Sequence, residues 1–403
     1  MDKNTKRSMI GWIFICCWAT YLTAYLCRVN FSSAMSSITL EKGLTAEKLG
    51  IIGAVYYAVY ACGQLVNGYI GDRVRANRFI LLAITGAMLC NIGMAFTDTF
   101  APMLILWGIN GCFQSMFWST IIRVLAQNIP ADKRATISAG ISLAMPVAYI
   151  VSWGLMGRCL DGAAVKWYFL IPAMVCVPLM GAWLALSGRL NFDLAASAQK
   201  HGVRETVGFL GGERLLWMVL VCMFHGLIKE GVAYWTPMLV NGMDIARTWS
   251  PYLLASILPT ANLIGILLSR SLLQKSTGSP YHILVILAGS IALVSSAMLI
   301  KSEGLFAIGM MALVSGLCYA NNTILMSFLP MQYTEKNMVA SIIGVFDFAS
   351  YVGAAVSTYV LGKVLSSLGF APLPGIWLGA AVVEMLIAAL VIRLRAADRK
   401  RHN

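Results

Sequence analysis

Apolar residues in this chain come in continuous blocks of about twenty, separated by short polar stretches. Barrel strands would alternate polar and apolar with period two. Blocks of about twenty match a helix that crosses a hydrocarbon core of roughly 30 Å. Twelve such blocks are read, at about 9–36, 47–70, 79–97, 100–126, 135–157, 165–186, 214–239, 249–271, 281–300, 304–328, 338–366 and 372–393. The pattern predicts an all-α polytopic membrane protein. One connection is longer and polar, and it divides the spans six and six. The expected organisation is an N-terminal six-helix bundle (1–186), a central cytoplasmic loop (187–213), and a C-terminal six-helix bundle with a short basic tail (214–403). The first block follows a basic start and is too long for a signal-peptide core, so it is expected to be retained as a span.

Composition agrees with this pattern. Hydrophobic residues make up 59% of the 403 and charged residues 12%, and mean hydropathy is +0.76. A soluble protein of this length could not cover its surface with so few charges. The net charge of +13 raises nucleic acid as a partner, but the basic residues sit in short loops. Of 30 Lys and Arg, twenty fall on the side that carries both termini, seven on the other, and three within spans. That bias predicts cytoplasmic termini and leaves no need for a nucleic-acid partner; the expected location is a bacterial inner membrane. The ten cysteines show no C-x-x-C, and the four histidines are scattered, so no metal or cofactor is expected. No Ser/His/Asp set or phosphate-cradling glycine loop argues for an enzyme.

The halves repeat weakly. Asp132-Lys133 precedes span 5 and Glu335-Lys336 precedes span 11, with the lysines 203 positions apart. Arg28 in span 1 and Lys229 in span 7 are 201 apart. Duplicated halves are a transporter plan with the site at the midplane between them. The two cations would then face each other.

The three intraspan cations are Arg28, Arg123 and Lys229. Arginine at the centre of a membrane helix costs about 2.5–3.5 kcal/mol on insertion scales, so it needs a partner. Tyr21, Tyr25 and Arg28 stand at i, i+4 and i+7, within about 40° of each other on one helix face. Ser32 continues that stripe. In span 7, His225 and Lys229 are one turn apart, and Glu230 lies next to Lys229. Gly226, Gly231 and Pro237 let this helix bend. Asp347 and Glu384 are further acids at depth. A local pairing of Lys229 with Glu230 or Asp347 is one expectation. Protonation of Glu230 or Asp347 would release a cation to hold an anion, so His225, Glu230 and Asp347 are candidate coupling residues. Asp72, Arg73 and Arg123 form a candidate cytoplasmic gate, with Arg123 either paired to Asp72 or snorkelling.

Gly68-Tyr-Ile-Gly71-Asp72-Arg73, followed by Arg75 and Arg78, resembles the signature loop of the major facilitator superfamily. Within that superfamily the chain resembles the organophosphate:phosphate antiporters. The resemblance rests on Tyr21, Tyr25, Arg28, Asn30, Phe31 and Ala34, on Tyr60, and on Gly111-Cys-Phe113-Gln114 with Trp118. It extends to Gly231, Trp235-Thr236-Pro237 and Tyr351. It implies the major facilitator fold of two pseudo-symmetric six-helix bundles, which rock to give alternating access. It also implies Arg28 and Lys229 as ligands of a phosphoryl group, with exchange against inorganic phosphate. Tyr21, Tyr25, Tyr60, Gln64, Trp118 and Tyr351 would line the cavity.

Several positions depart from that family. Lysine stands at 229 where arginine is usual, and Gln64 where a lysine is frequent. The span 5 signature reads Arg134-Ala135, Ile141-Ser142 and Met145-Pro146, without the family's histidine. Related organic-anion symporters carry an acid where this chain has Cys27. The expected function is exchange of a small organophosphate, a sugar or glycerol phosphate, against phosphate by a monomer in the lipid bilayer. The alternatives are a proton-coupled symporter of an organic carboxylate such as a sugar acid, or a transporter-like membrane sensor of a phosphorylated sugar.

Overall fold

The structure, a computed structural model, describes residues 3–71, 74–130, 137, 140–187, 203–275, 280–301, 303–333 and 338–402. Among them, twelve helices are long and apolar enough to cross a membrane. They are α1 (Lys3–Lys42), α2 (Ala46–Gly71), α3 (Ala76–Ala95), α4 (Phe100–Leu125), α5 (Gly140–Cys159) and α6 (Lys166–Leu186). There follow α7 (Leu216–Asn241), α8 (Pro251–Leu273), α9 (Pro280–Ile300), α10 (Gly304–Met331), α11 (Val339–Leu368) and α12 (Leu373–His402). With no water in the bilayer core, backbone amides must bond within their own segment, and these apolar runs satisfy that need as helices.

Three details differ from the sequence reading. First, α1 continues about six residues further, to Lys42. Its polar end finds partners there: the Lys42 ammonium reaches Asp98 at 3.0 Å and donates to the Thr97 carbonyl. The Glu41 carboxylate accepts the Val165 N–H at 3.0 Å, at the start of α6. Second, the polar stretch at 187–213 contains a short helix, Val203–Gly212. Thr206 and Leu210, one turn apart, are its buried face, and Leu210 joins a core with Leu215, Met218 and Tyr333. Third, two spans contain a π-helical stretch, Ile150–Met156 in α5 and Ile324–Phe328 in α10. The paired dipeptides Asp132-Lys133 and Glu335-Lys336, the signature pair Arg134-Ala135, and most of the central connection lie outside the described residues.

The chain forms two compact units. One comprises Met1–Leu44 with Cys62–Ala198, the other Thr45–Ala61 with Gln199–Asn403. Helix α2 therefore contributes its first half to the second unit and the rest to the first. In the first unit α1 packs on α3, α4, α5 and α6, around a core that includes Ile13, Ile80, Ile121 and Trp183. In the second unit α7 packs on α10, α11 and α12. Glycine sets the closeness of α7 and α11. A Cβ on Gly226 would lie 1.9 Å from the Ser350 carbonyl oxygen, and one on Gly353 would lie 1.9 Å from that of Met223. Only backbone fits there. Gly353→Val is expected to separate the helices and to destabilise the protein by at least about 1–3 kcal/mol. A thermal unfolding scan in detergent checks this, and a midpoint equal to wild type would disprove the close approach.

Candidate functional site

The first unit presents Arg28 inside α1, only 6% exposed. Its guanidinium lies 5.2 Å from the centre of the Tyr25 ring, within cation–π range. Rings continue on both sides of Tyr25. Tyr21 meets Tyr25 edge-on at 5.0 Å and Trp118 at 4.9 Å. On the other side, Tyr149 stands 6.0 Å from Tyr25 and 4.8 Å from Trp153. The i, i+4, i+7 stripe read from the sequence therefore exists, extended by two aromatic residues of α5. Trp153 also donates its indole N–H to the Ser32 hydroxyl at 3.0 Å. Beside it, the Ser33 hydroxyl reaches the carbonyl of Ser152, 3.1 Å away within the π-helical turn.

Carboxamides fix the turn of α1 that carries Arg28. The Cys27 carbonyl accepts from Asn91 of α3 at 3.2 Å and from Asn110 of α4 at 3.0 Å. Gln114 donates to the Ala24 carbonyl at 2.9 Å. Asn30 donates to Asn91 at 2.7 Å and to the Tyr168 carbonyl at 3.0 Å. Helix carbonyls have a second lone pair, so these bonds add to the helix instead of breaking it. Sequence reasoning singles out Asn30 and Gln114 but misses Asn91, Asn110, Tyr149 and Trp153. A carboxamide near the middle of an otherwise apolar span is the available signal for the two asparagines.

The second unit presents Lys229 with its side chain 11% exposed. Its ammonium is 3.1 Å from Glu230 and 3.2 Å from the Asn322 side-chain oxygen. The rings of Tyr319 and Tyr351 lie 5.9 and 6.0 Å away. The expected local pairing of Lys229 with Glu230 is therefore present. A lysine stem is long enough to fold back on its neighbour although their Cβ atoms diverge by about 100°. The second Glu230 oxygen accepts from the Tyr57 hydroxyl at 3.0 Å. Tyr57 stacks on Tyr351 at 6.0 Å, and Tyr60 lies 4.3 Å from the same ring. Tyr60 thus belongs with the Lys229 cluster. Asn322 and Tyr319 of α10 are not read from the sequence. Asp347 and Gln64 are half-buried.

His225 is fully buried and faces Glu384 of α12, with Nδ1 3.6 Å from the carboxylate. Asn321 donates to that carboxylate at 2.6 Å. Arg123 donates to the Val74 carbonyl just after the signature loop. Asp72 and Arg73, the other expected gate residues, lie outside the described residues.

Each unit thus presents one of the two candidate cations beside tyrosine rings, Arg28 in the first and Lys229 in the second. Arg28 offers a rigid planar fork suited to two oxygens of a phosphoryl or carboxylate group, and Lys229 offers a point charge. Comparison with known proteins bears on this arrangement. A 22% identical relative, the probable hexose phosphate transport protein of Chlamydia trachomatis, aligns over 395 residues, 89% of this chain and 85% of its own. The putative glycerol-3-phosphate transporter 2 of Arabidopsis thaliana is also 22% identical, over 94% of this chain and 86% of its own. The crystal structure of nucleoside transporter NupG superposes with a TM-score of 0.75 at 13% identity, covering 94% of this chain and 98% of that one. That likeness concerns the fold. The family model described as Major Facilitator Superfamily matches residues 17–358. This twelve-span membrane protein belongs to the Major Facilitator Superfamily, a family of transporters.

Proposed function

We propose that this protein is a secondary transporter that exchanges a small organophosphate, a sugar phosphate or glycerol phosphate, for inorganic phosphate. One observation carries the reading: a buried arginine and a partly buried lysine, 201 positions apart, each sit among tyrosines in otherwise apolar helices. Charge-assisted bonds from such donors are about twice as strong as neutral ones and suit phosphoryl oxygens. Arg28 and Lys229 are the proposed ligands of the phosphoryl group. Tyr21, Tyr25, Tyr60, Gln64, Trp118 and Tyr351 are proposed to line the path, and alternating access moves the cargo. Relatives named for hexose phosphate and glycerol-3-phosphate transport support the cargo class. The excess of Lys and Arg on one side supports cytoplasmic termini, and the proposed location is a bacterial inner membrane. The protein is proposed to act as a monomer, with Asp72, Arg73 and Arg123 at the cytoplasmic gate.

In this scheme Glu230 stands in for the cargo. It occupies Lys229 in the ligand-free protein and yields it to the phosphoryl group. The same contact supports a second reading, proton-coupled symport of an organic carboxylate, in which protonation of Glu230 or Asp347 frees Lys229. Proteoliposomes decide between them. Labelled glucose 6-phosphate or glycerol 3-phosphate is expected to enter only when phosphate is loaded inside. Entry of a labelled uronate driven by an inward proton gradient, without internal phosphate, would replace the first reading by the second.

A further inference from the structure

Glu384 takes no part in the site described above, yet it is 1% exposed in the middle of a membrane helix. Its surroundings are short of donors. One oxygen, Oε1, accepts from Asn321 at 2.6 Å and lies 3.6 Å from His225 Nδ1. The other oxygen, Oε2, has no hydrogen-bond partner among the described residues, nor do the Asn321 carboxamide oxygen and the two His225 ring nitrogens. Two of these orphans, Glu384 Oε2 and Asn321 Oδ1, are acceptors on groups already joined to each other. Ionised, the carboxylate would be a buried charge held by one amide, at a cost of several kcal/mol. A single proton changes this. On the carboxyl it makes a donor next to an acceptor that lacks one. On the imidazole it makes an ion pair with the carboxylate. Either way the group as a whole is neutral.

We propose that His225, Glu384 and Asn321 form a one-proton site, and that its occupancy is linked to the anion held at Lys229. The linkage to the anion rests on the function proposed above; the proton site does not. The charges around it fix the sign. On α7 itself stand Cys222, Lys229 and Glu230. Cys318 and Tyr319 come from α10, Asp347 and Tyr351 from α11, and Tyr57 of α2 caps Glu230. Lys229, Glu230 and Asp347 formally sum to −1 beside the neutral site. Loss of its proton makes that −2, with the new charge against His225, which stands one helical turn from Lys229. A second negative charge there opposes an incoming anion. Anion binding therefore favours the protonated site, and by reciprocity protonation favours the anion. Affinity falls as pH rises, by up to about tenfold per pH unit over the range in which the site titrates.

The test uses the full chain in detergent. Titration calorimetry with glycerol 3-phosphate, in buffers of differing ionisation enthalpy, counts protons taken up per ligand bound. The ligand's own ionisation is common to all variants and cancels in differences. Wild type is expected to take up as much as one proton more than Glu384→Gln, which keeps the amide contact and cannot ionise. Affinity in Glu384→Gln is expected to lose its extra pH dependence, and His225→Gln to shift the pH range. Equal proton counts in wild type and Glu384→Gln would overturn the linkage. If wild type binds neither glycerol 3-phosphate nor inorganic phosphate, the proposed function fails, and the proton site is judged without ligand. In pH-difference infrared spectra, carboxyl and imidazole bands that titrate together and vanish in Glu384→Gln support it; spectra identical to wild type overturn it.

Discussion

Uptake of glucose 6-phosphate into phosphate-loaded proteoliposomes is expected to fall by about 100-fold or more in Arg28→Ala. The size follows from what is removed. A hydrogen bond to a charged group contributes about 1.5–3 kcal/mol, and the guanidinium can supply two in parallel. Each 1.4 kcal/mol is about tenfold in binding. Arg28→Lys keeps the charge but loses the fork, so it should fall between the two. The fold should survive the change, because the turn is held through backbone carbonyls of Ala24 and Cys27, which alanine leaves in place. A monodisperse Arg28→Ala protein that transports at the wild-type rate would refute the assignment of Arg28.

The second large effect concerns Glu230. In Glu230→Gln the Tyr57 contact can persist, but Lys229 loses its counterion at 3.1 Å. Removing one partner of a buried pair destabilises by up to about 3–5 kcal/mol. The ligand-free variant should therefore melt below wild type. Added phosphate or glucose 6-phosphate should then raise its melting temperature more than that of wild type, because the anion no longer displaces a carboxylate. Ligand stabilisation grows as RT ln(1 + [L]/Kd), so a lower Kd shows directly as a larger shift at fixed ligand. Thermal shift of the two proteins across a ligand series measures this. A shift equal to or smaller than that of wild type would mean that Glu230 and the cargo do not compete for Lys229.

Much of this is legible from residue pattern because the bilayer permits few solutions. Runs of about twenty apolar residues can only become helices, and a cation inside one must have a reason. Arg28 and its tyrosine stripe follow from helical spacing within a single segment. Spacing leaves the partner of Lys229 open between Glu230 and Asp347, and the structure shows the contact with Glu230. The unread parts depend on which helices touch. Asn91 and Asn110 look like scattered polar residues until α3 and α4 are placed beside α1. Tyr57 joins Glu230 only because the first half of α2 packs with the second unit, a division that the six-and-six count does not suggest. Glu384 stands out as an acid at depth, but its pairing with His225 needs α7 and α12 side by side.

The carboxamides around Arg28 also bear on how the protein is made. Alone in a bilayer, α1 would carry an arginine costing about 2.5–3.5 kcal/mol and an unpartnered Asn30. Its relief comes from α3, α4 and α6, and the Cys27 carbonyl meets Asn110 only 83 residues later in the chain. Helix α1, made before the helices that relieve it, is thus among the least able to settle by itself. Its stable seat is completed only when α6 has followed and the Tyr168 carbonyl accepts from Asn30, so assembly of this unit should be cooperative during synthesis, with α1 waiting at the insertion machinery for the helices that close around it.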